Sequence, residues 1–174
     1  MVKKTMVVLC LCVVALSCAF AGKSSLVLQA SPFSYQNVSV SGANYKSTYG
    51  FKFEAGYRYN IVKGLTVGGD VKYSNYKYSE LSDRYNVLSF LANAGWTQQL
   101  GDLWTLTAEF GLGVQRRSVG SKSIAAFGMN LYTGAGFAVS KNVSVTCGAD
   151  FGLAFQKGSK DLSVDLMLGT AIKL

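Results

Sequence analysis

The C-terminal segment 162–174 alternates with a period of two residues. One face of this alternation carries Leu162, Val164, Leu166, Leu168, Thr170, Ile172 and Leu174, and the other carries Ser163, Asp165, Met167, Gly169, Ala171 and Lys173. Period two is the signature of a β-strand with one apolar face. A strand this long that ends on a hydrophobic side chain is unusual in a soluble domain, where termini fray into water. The segment therefore predicts the closing strand of a membrane barrel.

Seven further segments show the same period. Six of them are regular, at 49–59, 65–73, 88–96, 104–114, 127–139 and 143–155. The earliest, about 24–35, is the least regular because Val27 and Phe33 interrupt its stripe. Pro32 in this segment favours a strand edge or a bulge. Together the eight segments predict an all-β fold, an eight-stranded antiparallel up-and-down transmembrane β-barrel.

The composition of the two faces indicates which one points inward. A soluble lipocalin-like carrier would bury the apolar face, whereas a membrane barrel would turn it to lipid. The polar face is rich in glycine, with Ser, Thr and Asn, and the crowded interior of a small barrel needs such small residues. We therefore expect the apolar face to meet lipid. Aromatic residues near the stripe ends suit interfacial girdles, namely Tyr57, Tyr59, Trp96, Trp104, Phe137 and Phe155.

The N-terminal segment 1–21 has the pattern of an export signal. Lys3 and Lys4 precede an apolar run over 6–16, and Ala19-Phe20-Ala21 offers small residues for cleavage. This predicts a signal peptide over 1–21, removed to leave a barrel domain over 22–174. A lipoprotein-type cut before Cys18 is the alternative. The rest of the chain has no second apolar stretch of about twenty residues, so any membrane crossing must use strands.

The connections between the predicted strands alternate in character. Short, turn-like links fall at 60–64, 100–102 and 140–142, and more polar stretches fall at 36–45, 78–85, 117–123 and 157–161. Up-and-down barrels place tight turns at one end and longer loops at the other. We therefore expect the tight turns and both termini in the periplasm and four loops outside the cell.

The pattern as a whole resembles small bacterial outer-membrane barrels of the OmpX/Ail or OmpA-domain type. The resemblance rests on the export signal, the eight alternating strands, the short turns and the ending Gly169-x-x-Ile172-x-Leu174. It covers 22–174 and implies a location in the outer membrane, in contact with its lipid. It also implies that Gly169, Ile172 and Leu174 form a signal for the barrel-assembly machinery, although Leu174 stands where Phe is more common.

Charged residues on the inward face are predicted to gather at one level. Counting along the strands from the tight turns places five acids there, with two lysines just above and one arginine below. They are Glu54, Asp70, Glu109, Asp150 and Asp165, with Lys52, Lys72 and Arg58. Because buried charges must be paired or hydrated, one hypothesis is a salt-bridge network that plugs the lumen. The other is a cation or proton path, since the acids outnumber the bases.

The predicted loop end carries an excess of five positive charges. Its basic residues are Lys46, Lys77, Arg84, Arg116, Arg117, Lys122, Lys157 and Lys160, against Glu80, Asp83 and Asp161. Such a rim either binds anionic lipid headgroups, host polyanions or acidic proteins, or simply keeps the barrel oriented. The predicted function is a structural or surface-interaction role of the adhesin type. Alternatives are a narrow channel, a transport barrel for small hydrophobic ligands, or the soluble carrier.

Catalytic functions are disfavoured by the composition. The chain has no histidine, which excludes Ser-His-Asp and Cys-His catalysis and His-ligated zinc. Cys147 lies on the apolar face, where it is expected to act as a small hydrophobe. We therefore predict no enzyme, no cofactor and no metal. The basic residues cluster at loop tips of an exported chain, which argues against a nucleic-acid partner.

Overall fold

The structure is a computed structural model, and it describes residues 23–40, 43–79 and 84–174. Nearly all of these residues lie in antiparallel β-strands. The strands in these ranges are β1 Ser24–Ser31, β2 Ser34–Val40, β3 Ala43–Val62, β4 Leu65–Tyr78, β5 Tyr85–Leu100, β6 Trp104–Val119, β7 Lys122–Ala138, β8 Val143–Gln156 and β9 Ser159–Lys173. No helix in these ranges is long and apolar enough to cross a membrane. The predicted signal peptide, 1–21, lies outside the described residues and stays a prediction.

The strands close into a ring. Each strand from β3 to β9 pairs antiparallel with its neighbours in the chain, and both β1 and β2 pair with β3 on one side and β9 on the other. Thus β1 and β2 are two halves of one barrel strand, separated at Pro32 and Phe33, where proline lacks the N–H that a ladder needs. Counted this way, the described residues form the predicted eight-stranded up-and-down barrel.

The seam between β1 and β9 completes the ring. Leu26 pairs with Ile172, and Gln29 pairs with Gly169. The backbone N–H of Leu174 donates to the carbonyl of Ser24 at 2.9 Å. At Gly169 a Cβ would meet the carbonyl oxygen of Leu28, so the close approach of the two strands needs glycine there. The alternating C-terminal segment is therefore the closing strand, as the sequence predicts.

The outer wall is apolar and the interior is polar. Large apolar side chains such as Phe53 (56% exposed), Val114 (60%) and Leu166 (58%) point away from the barrel axis, whereas most buried side chains are polar or charged. The soluble-carrier alternative is therefore wrong, because it requires the reverse. On β9 the apolar stripe runs from Leu162 to Ile172. With about 3.3 Å per residue and a tilt of about 40°, it spans roughly 25 Å of hydrocarbon.

Three of the four predicted outer loops are mostly strand. The predicted loop 117–123 is a hairpin with a two-residue turn at Gly120 (φ 55°), and 157–161 turns at Gly158 (φ 78°). The predicted loop 36–45 is strand on both sides of 41–42. Strands extend past the apolar stripe here, where the outward side chains face water and are polar, so the hydrophobic alternation that predicts strands fades. At the fourth predicted loop, 78–85, β4 ends at Tyr78 and β5 begins at Tyr85, as predicted. Residues 80–83 of this loop lie outside the described residues.

The two ends of the barrel differ in what they carry. The terminal end carries Ser24, Leu174 and the turns near Gly64, Gly101 and 139–142. The distal end carries Arg84 and the turns at Gly120 and Gly158.

Candidate functional site

The interior network is a cluster of eight buried charged side chains near mid-barrel. β3 contributes Lys52, Glu54 and Arg58, β4 contributes Asp70 and Lys72, and β6, β8 and β9 contribute Glu109, Asp150 and Asp165. The sequence predicts the five acids of this cluster at one level, with the two lysines just above them and Arg58 below. The structure brings all of them together. Strand alternation turns each side chain inward, and the barrel's curvature makes them converge.

Lys52 bridges two carboxylates that face each other. Asp150 and Asp165 are directly paired in the β8–β9 ladder and both are fully buried. The Lys52 Nζ lies 2.5 Å from an oxygen of each. Asn130 donates to Asp150 at 2.7 Å, and the Ser34 hydroxyl donates to Asp165. Like charges opposite each other on a sheet repel, so the ammonium group compensates a contact that would otherwise destabilise the barrel.

Arg58 joins the β4 and β6 sides of the interior. Its Nε and Nη2 donate to Glu109 at 2.7 and 2.6 Å, and its Nη1 donates to Asp70 at 2.5 Å. Such bidentate, charge-assisted pairs are strong and geometrically specific. Gly56 provides the space, because a Cβ there would overlap the Asp70 carboxylate and crowd Arg58.

Lys72 links the two halves into one network. Its Nζ lies 2.9 Å from Glu54 Oε2 and 3.0 Å from Asp150 Oδ2, and Arg58 approaches Glu54 at 3.8 Å. Five carboxylates face three cations, and amide donors from Asn93 and Asn130 supply further hydrogen bonds.

The lumen around the network is narrow. A cavity of about 30 Å³ on its distal side, lined in part by Lys52, Lys72 and Asp150, holds about one water molecule. On the terminal side, a polar cavity of about 310 Å³ is lined by Arg58 and Glu109 among others. Side chains thus fill the cross-section between the two ends.

Basic side chains surround the distal end. Exposed members of this distal rim are Lys46, Lys77, Arg84, Arg116, Lys122, Lys157 and Lys160. The described part of the distal end has no exposed acidic side chain, because Asp161 is buried. By strand alternation Lys77, Arg116 and Lys160 lie on the outer wall just beyond the apolar stripe, and Lys122 and Lys157 stand at hairpin tips.

Arg117 does not belong to the exposed rim, contrary to the sequence-based prediction. It lies within β6, next to outward Arg116, so alternation turns it into the barrel, where it is 4% exposed. Its Nη1 lies 3.2 Å from Asp161 Oδ2. The prediction placed Arg117 in a loop, where alternation does not apply, and grouped Asp161 with the loop charges for the same reason.

A distal polar cluster surrounds Asp161. Gln36 Nε2 and the Tyr85 hydroxyl each donate to Asp161 at 3.2 Å, and the Tyr78 hydroxyl donates to Gln36 at 2.7 Å. Burial raises the pKa of the Asp161 carboxyl, and the nearby charge of Arg117 only partly offsets this. Sequence reasoning missed these tyrosines. The signal that could have found them is inward parity, which Tyr78 shares with Asp70 and Lys72 along β4 and Tyr85 shares with Ser89 and Asn93 along β5.

The three residues of the proposed assembly signal lie in the last part of β9 and directly after it. Gly169 and Ile172 are in β9, paired with β1 and β8, and Leu174 follows the last strand residue. The structure thus places them at the seam, separate from both charged clusters.

A closed ring with an apolar wall about 25 Å high and a charged interior defines an integral membrane β-barrel. Residues 6–167 match the family model described as the outer membrane protein beta-barrel domain. The chain belongs to this family, and its location is the bacterial outer membrane. No curated protein matches the chain.

Solved structures of small outer-membrane barrels share the fold. Neisserial surface protein A is 21% identical, with 87% of this chain and 97% of that chain covered and a TM-score of 0.66. Ail of Yersinia pestis, in complex with the heparin analogue sucrose octasulfate, is 16% identical, with 86% and 99% covered and a TM-score of 0.52. OprG of Pseudomonas aeruginosa is 12% identical, with 88% and 96% covered and a TM-score of 0.50. The predicted resemblance to small outer-membrane barrels is confirmed.

Proposed function

We propose that this protein is a closed outer-membrane barrel whose distal end binds anionic groups at the cell surface. The observation that supports this role is the distal rim, in which seven basic side chains are exposed and no described acidic side chain is. A surface with an excess of one sign of charge attracts anions and accelerates their association. Glu80 and Asp83 of the same end lie outside the described residues. The proposal includes the orientation predicted from the sequence, with the termini in the periplasm.

Two kinds of anionic group fit the rim. Lys77, Arg116 and Lys160 lie at the height of phosphorylated lipid headgroups, where each basic side chain contributes about 1 kcal/mol of attraction. Lys122 and Lys157 at the tips suit a soluble sulfated polyanion. The complex of Ail with sucrose octasulfate makes a sulfated polymer a reasonable probe. Both interactions use the same chemistry, a cation facing phosphate or sulfate.

The filled interior supports a structural rather than a conducting role. The network crosses the lumen from β3 to β9 and separates a cavity of about 30 Å³ on its distal side from one of about 310 Å³ on its terminal side. Buried charges that are paired on several sides hold their positions. We therefore expect the reconstituted barrel to show no stable conductance. A sustained current through planar bilayers would favour the narrow-channel alternative instead.

A charge-matched pair of variants tests the rim. In the distal variant Arg116, Lys122 and Lys157 become Gln; in the control Lys63, Lys141 and Lys173 at the terminal end become Gln. All six side chains are exposed. We expect the distal variant alone to lose about tenfold in affinity for immobilised heparin or for vesicles with phosphorylated headgroups. Loss of heparin binding alone would identify a soluble polyanion as the ligand, and loss of vesicle binding alone would identify a lipid.

An equal loss in both variants, or in neither, would contradict the proposal. The first result would mean that only net charge matters, and the second that the rim is merely solvated. Binding is measured at two salt concentrations because exposed charge interactions are screened within about 8 Å at physiological salt.

We also infer that β9 carries the signal for the barrel-assembly machinery. Support comes from its position at the seam, where it pairs with the first strand of the chain. Replacing Leu174 by Asp should reduce the folded, heat-modifiable fraction in outer membranes, and Leu174→Phe should preserve it. Equal assembly of both variants would show that the terminal residue carries no signal.

A further inference from the structure

The distal cleft is a concave pocket of about 400 Å³ at the distal mouth of the barrel. Its lining comes from β2, β5, β6, β7 and the β8–β9 turn and includes Val40, Arg117, Ile124 and Lys157. This volume lies in the range of small-molecule sites. The cleft differs from the distal rim because its central cation, Arg117, points into the barrel, whereas the rim cations are exposed to solvent.

Arg117 lies in the cleft with part of its guanidinium unused. One nitrogen, Nη1, pairs with Asp161, whereas Nε and Nη2 are covered and have no hydrogen-bond partner in the protein. Nε–H and one Nη–H of an arginine point the same way and bind the two oxygens of an anionic head side by side. Buried donors without a partner destabilise the protein, and an anion or a water that reaches them recovers this energy.

The cleft walls are apolar where the rest of the interior is polar. Val38, Val40, Val119 and Ile124 all line it. Ile124 is 50% exposed and Val40 41% exposed, although both occupy inward positions beyond the lipid-facing stripe. They bury their surface neither against lipid nor in a core. An apolar molecule in the cleft would cover them and remove their apolar surface from water, which is favourable.

We propose that the distal cleft binds a single-chain anionic amphiphile, with its alkyl chain against Val40 and Ile124 and its head beside Arg117. The Nε–Nη2 edge of Arg117 is covered in this structure, and the head reaches it by a local movement of the side chains. Lys122 and Lys157 line the same cleft and draw the head inward. Because Asp161 occupies only Nη1, the head and Asp161 share the guanidinium on different sides. This site goes beyond the anion-binding rim, with which it shares Lys122 and Lys157.

The experiment uses the full mature barrel in phosphatidylcholine nanodiscs, free of detergent that would compete for the cleft. The probe is decanesulfonate, whose head stays charged at every pH used. Binding is followed by NMR through the methyl groups of Ile124 and the Nε signal of Arg117. We expect saturable shifts of both. Methanesulfonate, which lacks the chain, and decanol, which lacks the charge, should bind at least tenfold more weakly.

Matched variants separate the cleft from the rim. Arg117→Gln/Asp161→Asn removes both members of the buried pair, so no isolated charge is left to impair folding; it should lose at least tenfold in affinity. The neighbouring outward variant Arg116→Gln should bind normally. Ile124→Gln, at a half-exposed wall position, should weaken decanesulfonate while leaving heparin binding unchanged.

Three results would overturn this proposal. Shifts that grow linearly and equally in all variants would mean partition into the bilayer. If methanesulfonate bound as tightly as decanesulfonate, the site would recognise the head alone. If decanol did, the site would recognise the chain alone. Absence of any shift would mean that water satisfies Arg117. None of these outcomes bears on the rim variants, so failure of the cleft and failure of the rim can be told apart.

Discussion

The interior network and the distal Arg117–Asp161 pair are both buried ion pairs, but they differ in completeness. In the network each cation contacts at least two carboxylates, and Lys52 lies 2.5 Å from both Asp150 and Asp165. In the distal pair one nitrogen of Arg117 meets one oxygen of Asp161 at 3.2 Å, and two nitrogens have no partner. The network therefore closes the lumen with paired charges, whereas the distal pair keeps unused hydrogen-bond donors on Arg117.

Position relative to lipid explains this difference. The network lies within the height of the apolar wall, so its charges are compensated by one another and by amide groups. The distal pair lies beyond that wall, near a cleft that opens to solvent, where water or a ligand can complete the hydrogen bonds. Five predictions test this contrast, from the largest expected effect to the smallest.

Lys52→Met should have the largest effect on stability. It leaves Asp150 and Asp165 opposite each other without the cation between them, and breaking a buried pair in this way costs about 3–5 kcal/mol. Reversible urea unfolding in lipid vesicles measures the loss. Lys77→Met, at an exposed site, is the control and should change stability by less than about 0.5 kcal/mol. Similar small losses in both would show that the network contributes little.

Gly111→Ala should destabilise the barrel by about 1–3 kcal/mol, as overpacking does. A Cβ at Gly111 would overlap the side-chain oxygens of Asn93 and Asn130, the residues that donate to Asp70 and Asp150. Gly69→Ala is the matched control, since its Cβ meets only an ordinary contact at 3.4 Å. The same unfolding assay compares them. A Gly111 variant as stable as the control would mean that these amides move freely.

Asp161→Asn should strengthen decanesulfonate binding in the distal cleft by several-fold to about tenfold. The change removes the competing charge from Arg117 but keeps a group of the same size. Titration by NMR in nanodiscs measures the affinity. The corresponding network change, Asp165→Asn, should leave this affinity unaltered. Weaker binding by the Asp161 variant would mean that the carboxylate positions Arg117 rather than competing with the ligand.

Lowering the pH from about 7 to about 4 should strengthen decanesulfonate binding by a few-fold. Burial raises the pKa of Asp161, so this carboxylate takes up a proton before an ordinary one does and releases Arg117. Groups that face it are Arg117 from β6, Tyr85 from β5, Tyr78 from β4, Gln36 from β2 and Ser159 beside it. Both tyrosines are neutral over this whole range, since an ordinary tyrosine titrates at about pH 10 and burial raises their pKa values further. An equal pH response in Asp161→Asn would rule out Asp161 as its source.

The raised pKa also fixes the sign of the stability change. A carboxyl whose pKa is raised by folding stabilises the fold when protonated, so this contribution is present at low pH and is lost as pH rises through the folded-state value. Asp161→Asn should therefore flatten the pH dependence of unfolding in this range. Because Arg117 partly offsets the burial, we expect this effect to be the smallest.

Much of the interior network could be predicted from the chain alone. Along a strand each side chain alternates between two faces, so counting by two from the turns assigns Glu54, Asp70 and Asp150 to the same side and level. This logic works only where strands are recognised. At the distal end the outward positions are polar, as at Arg116 and Ser118, so the strands were mistaken for loops. The error misplaced Arg117, whose inward position follows at once from the correct strand boundary.

By itself the sequence determined the barrel, its strand number, the lipid-facing side and the level of the buried charges, because these follow from a local period of two and from the small size of the inward residues. Only the tertiary structure decided which charges pair, how β1 and β2 share one position in the ring, and that Arg117 faces a cleft instead of solvent. These features depend on contacts between strands far apart in the chain, such as Lys52 with Asp165, whose geometry is set by closure of the ring.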